Sequence, residues 1–322
     1  MLERLSHKTK QFFFVLIKLS IVVAAFYGIY YKLTSNHALD LKVFYHFLEE
    51  NELFSITTLL FLMLLTFLNW FFEILKWQLL VQPISTISFK DSAAQSLGAL
   101  TASLLTPNRL GEYAAKVIYY KKSKRKAVVL LNLLSHFFQM TVTVLFGIIG
   151  LWTFQLQQKL GINYLKLFFF AFVALIILTS LLFLLNKIKM TIKGFSLEKL
   201  KHFFLKLPRL TLWYGLICSI IRYLIFSFQF FVLLKLFGVD IVYLEAMQVI
   251  SSIYLLASVI PSLLIFDVVI KSGVAVYLFG LIGVNSVTIL TVVTLMWVLN
   301  FMLPSVIGSY YVLNFKLPKP TN

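Results

Sequence analysis

The sequence predicts an all-α membrane protein: a polytopic helical bundle of about six full transmembrane spans plus two re-entrant or broken helix pairs, arranged as an inverted repeat. Three observations lead there. Of 322 residues, 60% are hydrophobic and only 13% charged, for a mean hydropathy of +0.92. Six apolar runs are each long enough to cross about 30 Å of hydrocarbon at about 1.5 Å per residue. Between those runs, Lys and Arg crowd into alternate loops.

A soluble domain of this length has too few polar groups to cover so much apolar surface, so lipid is the expected solvent. The whole chain, 1–322, reads as a single transmembrane domain with no soluble domain, its repeat halves spanning about 12–151 and 165–313. The formal charge is +17, from 29 Lys+Arg against 12 Asp+Glu. Because the basic residues flank apolar runs, an anionic membrane surface is the expected partner and nucleic acid is not. Cys218 is the sole cysteine and lies inside an apolar run, which rules out an internal disulfide or a thiolate metal site.

The full spans fall at approximately 12–31, 53–75, 127–151, 165–186, 210–236 and 286–313. The first follows a basic N-terminus carrying Arg4, Lys8 and Lys10, and ends in Tyr30-Tyr31-Lys32 rather than a small-residue cleavage site, so it reads as a retained span. Loop 32–52 has Lys32 and Lys42 against Asp40, Glu49, Glu50 and Glu52, and loop 152–164 has Lys159 alone. By contrast, 76–126 ends in the basic run Lys121 to Lys126, and 187–209 carries seven Lys and Arg. The alternation puts both termini on the cytoplasmic side of a bacterial inner membrane. Trp152 and Trp213 fall at span ends, where indoles favour the interface.

Two stretches, 92–118 and 246–283, each hold two short apolar halves around an elbow: Thr106-Pro107-Asn108-Arg109 and Ile260-Pro261-Ser262. Halves of about 12–15 residues suit re-entrant or broken helices. Pro107, Gly111 and Pro261 are the expected helix breakers. A shift of 155 residues registers the elbows: Ala102-Ser103 falls on Ala257-Ser258, Glu112 on Asp267, and Lys116 on Lys271. The same shift superposes the spans. One half enters from the cytoplasm and the other from outside, an arrangement that brings broken helices together near the bilayer midplane.

Charges inside such spans are expensive and ask for a partner or a task. Arg222 lies deep in its span; it either pairs with Asp267 or Glu112, or faces a cavity that receives an anionic head group. Glu112–Lys116 and Asp267–Lys271 are each four residues apart, which places acid and base on one helix face. Arg109 follows its elbow, where a guanidinium is suited to phosphate. Arg109, Glu112, Lys116, Arg222, Asp267 and Lys271 together form the expected head-group path. Glu73 and Lys76, beside Trp70 and Trp77, read as interface anchors. His136 and Gln139, one turn apart, line a cavity or make interhelical hydrogen bonds.

No catalytic constellation, phosphate-binding loop, dinucleotide turn or carboxylate-rich metal cluster occurs, so neither an enzyme, nor a cofactor, nor a metal is expected.

The stretch Ser103-Leu104-Leu105-Thr106-Pro107-Asn108-Arg109-Leu110-Gly111-Glu112 resembles the signature of the lysylphosphatidylglycerol synthase transmembrane-region family. These are flippase-like domains also found in the membrane part of the multiple peptide resistance factor. Lys76-Trp77-Gln78-Leu79-Leu80, Arg222 with Gln229, Ala257 to Ser262 and Asn300 to Gly308 support it in order, so the similarity runs from about 12 to 313. The family's second elbow usually carries several glycines and a glutamate, whereas Pro261-Ser262-Leu263-Leu264-Ile265-Phe266-Asp267 lacks the glycines and shortens the acid. No aminoacyl-transferase domain accompanies the resemblance, so lipid aminoacylation is not implied. What it implies is movement of an anionic or glycosylated lipid between leaflets. The alternatives are a non-transporting membrane partner of a lipid-modifying enzyme or glycosyltransferase, and a small-solute transporter of similar architecture.

Overall fold

A computed structural model of the chain describes residues 55–104, 106, 109–158, 197–259 and 267–315, together with Val23; for 197–201 and 267–268 it describes the backbone alone. The expected spans 12–31 (Val23 apart) and 165–186, with Pro107 and Pro261, lie outside the described residues.

All regular structure among the described residues is helical: α1 (Ile56–Val81), α2 (Phe89–Ser103), α3 (Leu110–Val117), α4 (Arg125–Gln158), α5 (Leu197–Lys206), α6 (Arg209–Leu236), α7 (Tyr243–Ser258), α8 (Asp267–Gly280), α9 (Ser286–Trp297) and α10 (Leu303–Asn314). A π-helical turn, Val298–Met302, joins the last two. Four segments are long and apolar enough to cross a bilayer: α1, α4, α6 and the run Ser286–Asn314, of 26, 34, 28 and 29 residues. The two expected broken pairs correspond to α2 with α3, which flank the first elbow, and α7 with α8; α7 ends at Ser258, and the second elbow, 260–262, lies outside the described residues.

Local chemistry sets the boundaries. Ser88 accepts from the Asp91 amide at 3.1 Å while the Asp91 carboxylate takes the Ser88 amide at 3.2 Å, a capping box that starts α2. Asn285 caps α9 by accepting from the Val287 amide at 2.8 Å. The π-turn has a covalent reason. Pro304 has no N–H to donate to the carbonyl four residues back, so the Asn300 carbonyl is released from the helix and accepts the Trp70 indole N–H at 3.0 Å.

The helices are apolar on their outer faces, and their buried faces add polar side chains to a hydrophobic core. On α1, Thr66, Asn69 and Lys76 are buried, whereas Leu60 and Phe67 stand 65% and 63% exposed. An apolar outer face of this extent is stable only in a solvent of hydrocarbon. Trp152 and Trp213 are exposed, as expected of interfacial indoles, but Trp77 is fully buried.

Packing is antiparallel and reciprocal. Along α1 and α6, Gln229 reaches Thr66, Arg222 reaches Asn69, and Gly215 sits near Leu80, so numbering rises on one helix as it falls on the other. The first arm of the first broken pair, α2, packs on α10, last helix of the second half: Thr101 donates to the Ser305 carbonyl at 2.8 Å. Likewise α7, the first arm of the second broken pair, packs on α4, last of the first half. Glycines permit both crossings. A Cβ at Gly308 would lie 2.1 Å from the Leu97 carbonyl oxygen, and one at Gly147 2.5 Å from the Leu255 Cβ.

Candidate functional site: a polar cavity inside the bundle

The elbow between α2 and α3 is held by one threonine. The Thr106 hydroxyl donates to the Ser103 carbonyl at 3.0 Å and accepts from the Gly111 amide at 2.9 Å. Gly111 does not break the helix; it lies within α3, where an added Cβ would come within 2.3 Å of the Ala102 carbonyl oxygen. Its role is close approach. The unusual backbone belongs to Arg109, which at φ 57° is the one non-glycine residue of positive φ among the described residues. A left-handed arginine costs about 1 kcal/mol or more, and such strain gathers at working sites.

Among the described residues Arg222 pairs with Glu73 rather than with Glu112, and it lines the cavity described below. Its guanidinium meets the Glu73 carboxylate, and also donates to the Asn69 carbonyl at 3.2 Å, the Asn69 side chain at 3.1 Å and Gln139 at 3.2 Å. Glu73 in turn holds Lys76 at 2.8 Å. Glu73 and Lys76 are therefore not interface anchors: Lys76 is buried and the Glu73 side chain only 12% exposed, because the antiparallel crossing of α1 and α6 turns this face toward Arg222. Asp267 begins α8, and its side chain lies outside the described residues.

A second cluster surrounds Glu112. Lys116 donates to its Oε1 at 2.7 Å, and His136 Nε2 lies 3.3 Å and Arg109 4.0 Å from its Oε2. The expected one-face pairing of Glu112 and Lys116 is present. Lys116, however, is 1% exposed, donates onward to Asn132 at 2.8 Å and sits 4.0 Å from the Trp77 ring centroid. It does not line the cavity described below. Trp77 is locked in place by donating to Gln95 at 2.8 Å, which also accepts from Tyr120.

Between the clusters lies a cavity of about 600 Å³. Arg109, Glu112, Arg222 and Lys271 line it, with His136 and Gln139 from α4 and Tyr254, Ala257 and Ser258 from α7. Four of the six expected path residues thus share one chamber. Phe301 lies near two of its basic groups: Arg109 and Lys271 are 5.8 and 5.5 Å from the centre of that ring. The floor is a hydrogen-bonded amide chain, in which Gln229 donates to Thr66, Asn300 to Gln229, and Asn69 to Asn300.

As cavity residues, Glu73, Asn69, Asn300, Tyr254 and Phe301 were not foreseen, although Glu73 was read as an anchor and Asn300 within the family resemblance. The first two carried a legible signal: Thr66, Asn69, Glu73 and Lys76 recur every three or four residues, a polar stripe along an apolar span. Asn300, Tyr254 and Phe301 offered no comparable pattern.

A family model described as lysylphosphatidylglycerol synthase TM region matches residues 15–308. No curated protein and no solved structure matches the chain.

Proposed function

The chain belongs to the lysylphosphatidylglycerol synthase TM region family, a family of membrane domains of lipid-related proteins, and from that premise we propose that it carries an anionic or glycosylated lipid head group between the leaflets of a bacterial inner membrane. The observation that carries this reading is the 600 Å³ polar cavity, lined by Arg109, Arg222 and Lys271, within a bundle whose outer face is apolar. Hydrocarbon tails do not require such a chamber, and an anionic head group crossing the bilayer does.

The mechanism uses the two halves as an inverted repeat. Antiparallel α1 and α6, together with the reciprocal packing of α2 on α10 and α7 on α4, are what a two-fold axis in the membrane plane would produce. Both broken pairs contribute to the cavity, Arg109 from one and Tyr254, Ala257 and Lys271 from the other. Rocking of one half against the other would open the chamber first to one leaflet and then to the other. In this reading the two spans outside the described residues complete six crossings, both termini face the cytoplasm, and no covalent chemistry is performed.

Reconstitution tests it. Vesicles containing the protein should exchange labelled anionic lipid between leaflets faster than empty vesicles, and Arg109→Ala or Arg222→Ala should reduce the rate while folded protein remains. Rates equal to those of empty vesicles, across several lipid classes and with a proton gradient imposed, would instead favour a membrane partner that docks a lipid-modifying enzyme or glycosyltransferase.

A further inference from the structure

His136 stands on α4 at the wall of the chamber, its side chain 29% exposed and so within reach of water. It is the single imidazole among the described residues that line the chamber. Imidazole is the side chain whose unperturbed charge change falls between about pH 5 and 8. Two groups of opposite hydrogen-bonding character meet its Nε2: Glu112 Oε2 at 3.3 Å and Asn132 Nδ2 at 3.5 Å.

Neither group can exchange its role. Lys116 donates to Asn132 Oδ1 at 2.8 Å, and an ammonium accepts nothing, so the Asn132 amide is held with Nδ2 toward the imidazole, where it only donates. Lys116 also takes Glu112 Oε1 at 2.7 Å, which leaves Oε2 as the carboxylate's remaining acceptor. One nitrogen thus has a partner for each of its states. Bare, it accepts from Asn132; protonated, it donates to Glu112. The same Oε2 is the atom that Arg109 approaches, at 4.0 Å and beyond hydrogen-bonding distance. Arg109 is 36% exposed and sits at the elbow, so it has room to come and go.

The other elements around His136 hold their charges elsewhere. Tyr113 of α3 lies 5.6 Å from its ring. Arg222 of α6 donates to Gln139, three residues further along α4, and is tied to Glu73 of α1. From α7, Tyr254, Ala257 and Ser258 reach the chamber without a charged side chain, and from α8 Lys271 does.

We propose that His136 is a proton-binding site that competes with Arg109 for Glu112 Oε2. Protonation from chamber water gives Oε2 to the imidazolium and releases the guanidinium into the chamber; loss of the proton returns Oε2 to Arg109 and Nε2 to Asn132. A charge-assisted bond is roughly twice as strong as a neutral one, which is what lets the proton decide the contest. The effect is reciprocal: the factor by which the proton weakens the hold of Arg109 on Glu112 is the factor by which Arg109 weakens the hold of His136 on the proton. The consequence that a proton gradient drives movement through the chamber rests on the lipid-transport reading; the switch itself does not.

Reciprocity makes the switch measurable without transport. The full chain, labelled with carbon-13 histidine, is titrated in detergent between about pH 4 and 9 and followed by NMR. His136→Gln identifies the signal among the five histidines. The His136 signal should titrate within that range, and Arg109→Gln should raise its midpoint by at least about 0.5 unit, a roughly threefold tighter hold on the proton. Lys271→Gln, which removes a positive charge elsewhere on the chamber wall, should move the midpoint less than half as far. Circular dichroism and a single elution peak establish that each variant is folded. Arg109→Gly, which also frees the left-handed backbone, is the second variant should the glutamine fail that check. A His136 that keeps one charge state throughout, a midpoint unmoved by loss of Arg109, or equal shifts from the Arg109 and Lys271 variants would each overturn the proposal. Such a failure leaves the lipid-transport reading to the vesicle assay, and absent lipid exchange leaves the titration unaffected.

Discussion

Arg222 and Glu73 meet across the antiparallel crossing of α1 and α6, 149 positions apart in the chain. The pair is shared: Lys76 lies 2.8 Å from the same carboxylate oxygen, and Asn69 and Gln139 take further guanidinium hydrogens. Two cations over one largely buried carboxylate make Glu73 the member whose loss costs most.

Glu73→Gln should therefore destabilise the protein by about 3–5 kcal/mol, since Arg222 and Lys76 would remain charged with no counter-ion between them. Adding Arg222→Met to Glu73→Gln should restore part of the loss. Equilibrium unfolding of the two single variants and the double gives the coupling directly, and strict additivity would mean that the pair does not interact.

Glycine positions should separate into two kinds. Gly111→Ala and Gly308→Ala drive a Cβ to 2.3 Å and 2.1 Å from backbone carbonyl oxygens, so each should cost about 1–3 kcal/mol or more. Gly273→Ala meets nothing within 4 Å and lies within α8, so it should be neutral or stabilising by up to about 1 kcal/mol. Melting temperatures in one detergent decide the contrast.

Arg109 combines a strained backbone with a charge, and one substitution separates them. Arg109→Gly relieves the left-handed conformation and should leave stability unchanged or raised by up to about 1 kcal/mol, while lipid exchange falls. A protein destabilised and inactive in proportion would assign Arg109 to structure alone.

Removing the Asn300 side chain cuts the amide chain. Asn300→Leu strands the Gln229 carbonyl and the Asn69 amide, both buried, and should cost about 1–3 kcal/mol for each group left unpaired. Ser305→Ala, which loses a local bond to the Met302 carbonyl, should cost at most about 1 kcal/mol. Denaturant unfolding of both variants ranks them.

Orientation is open to direct measurement, because the native Cys218 is buried and gives little background. Ser123→Cys, in the basic loop after α3, should react with an impermeant maleimide only from the cytoplasmic side. Lys159→Cys, past the end of α4, should react only from outside. The reverse pattern would invert the topology.

Much of this protein follows from one-dimensional properties. Run length and hydropathy located α1, α4, α6 and Ser286–Asn314 to within a few residues, except that α1 and α4 run six or seven residues further at their C-terminal ends. The elbow at 106–109 was visible because proline and a lapse in hydropathy interrupt a helix wherever it sits; the same signal placed the second at 260–262, outside the described residues. The i to i+4 pairing of Glu112 and Lys116 was equally legible, since both residues lie on one helix and its geometry is local.

The partners of Arg222 were not. A guanidinium chooses among carboxylates by distance, and distance across a bundle depends on which helices cross and at what height. Neither leaves a mark in the order of residues along one helix. The same holds for Lys116: its spacing announced a partner, and only the packing of α3 against α4 and Trp77 decided that it does not line the cavity. The sequence by itself determined a lipid-dissolved helical bundle with interrupted helices and buried charges, because transfer from water to hydrocarbon acts on each segment alone. The tertiary structure alone decided which charges cancel one another and which face the chamber, because electrostatic pairing in a low dielectric is a property of assembled neighbours.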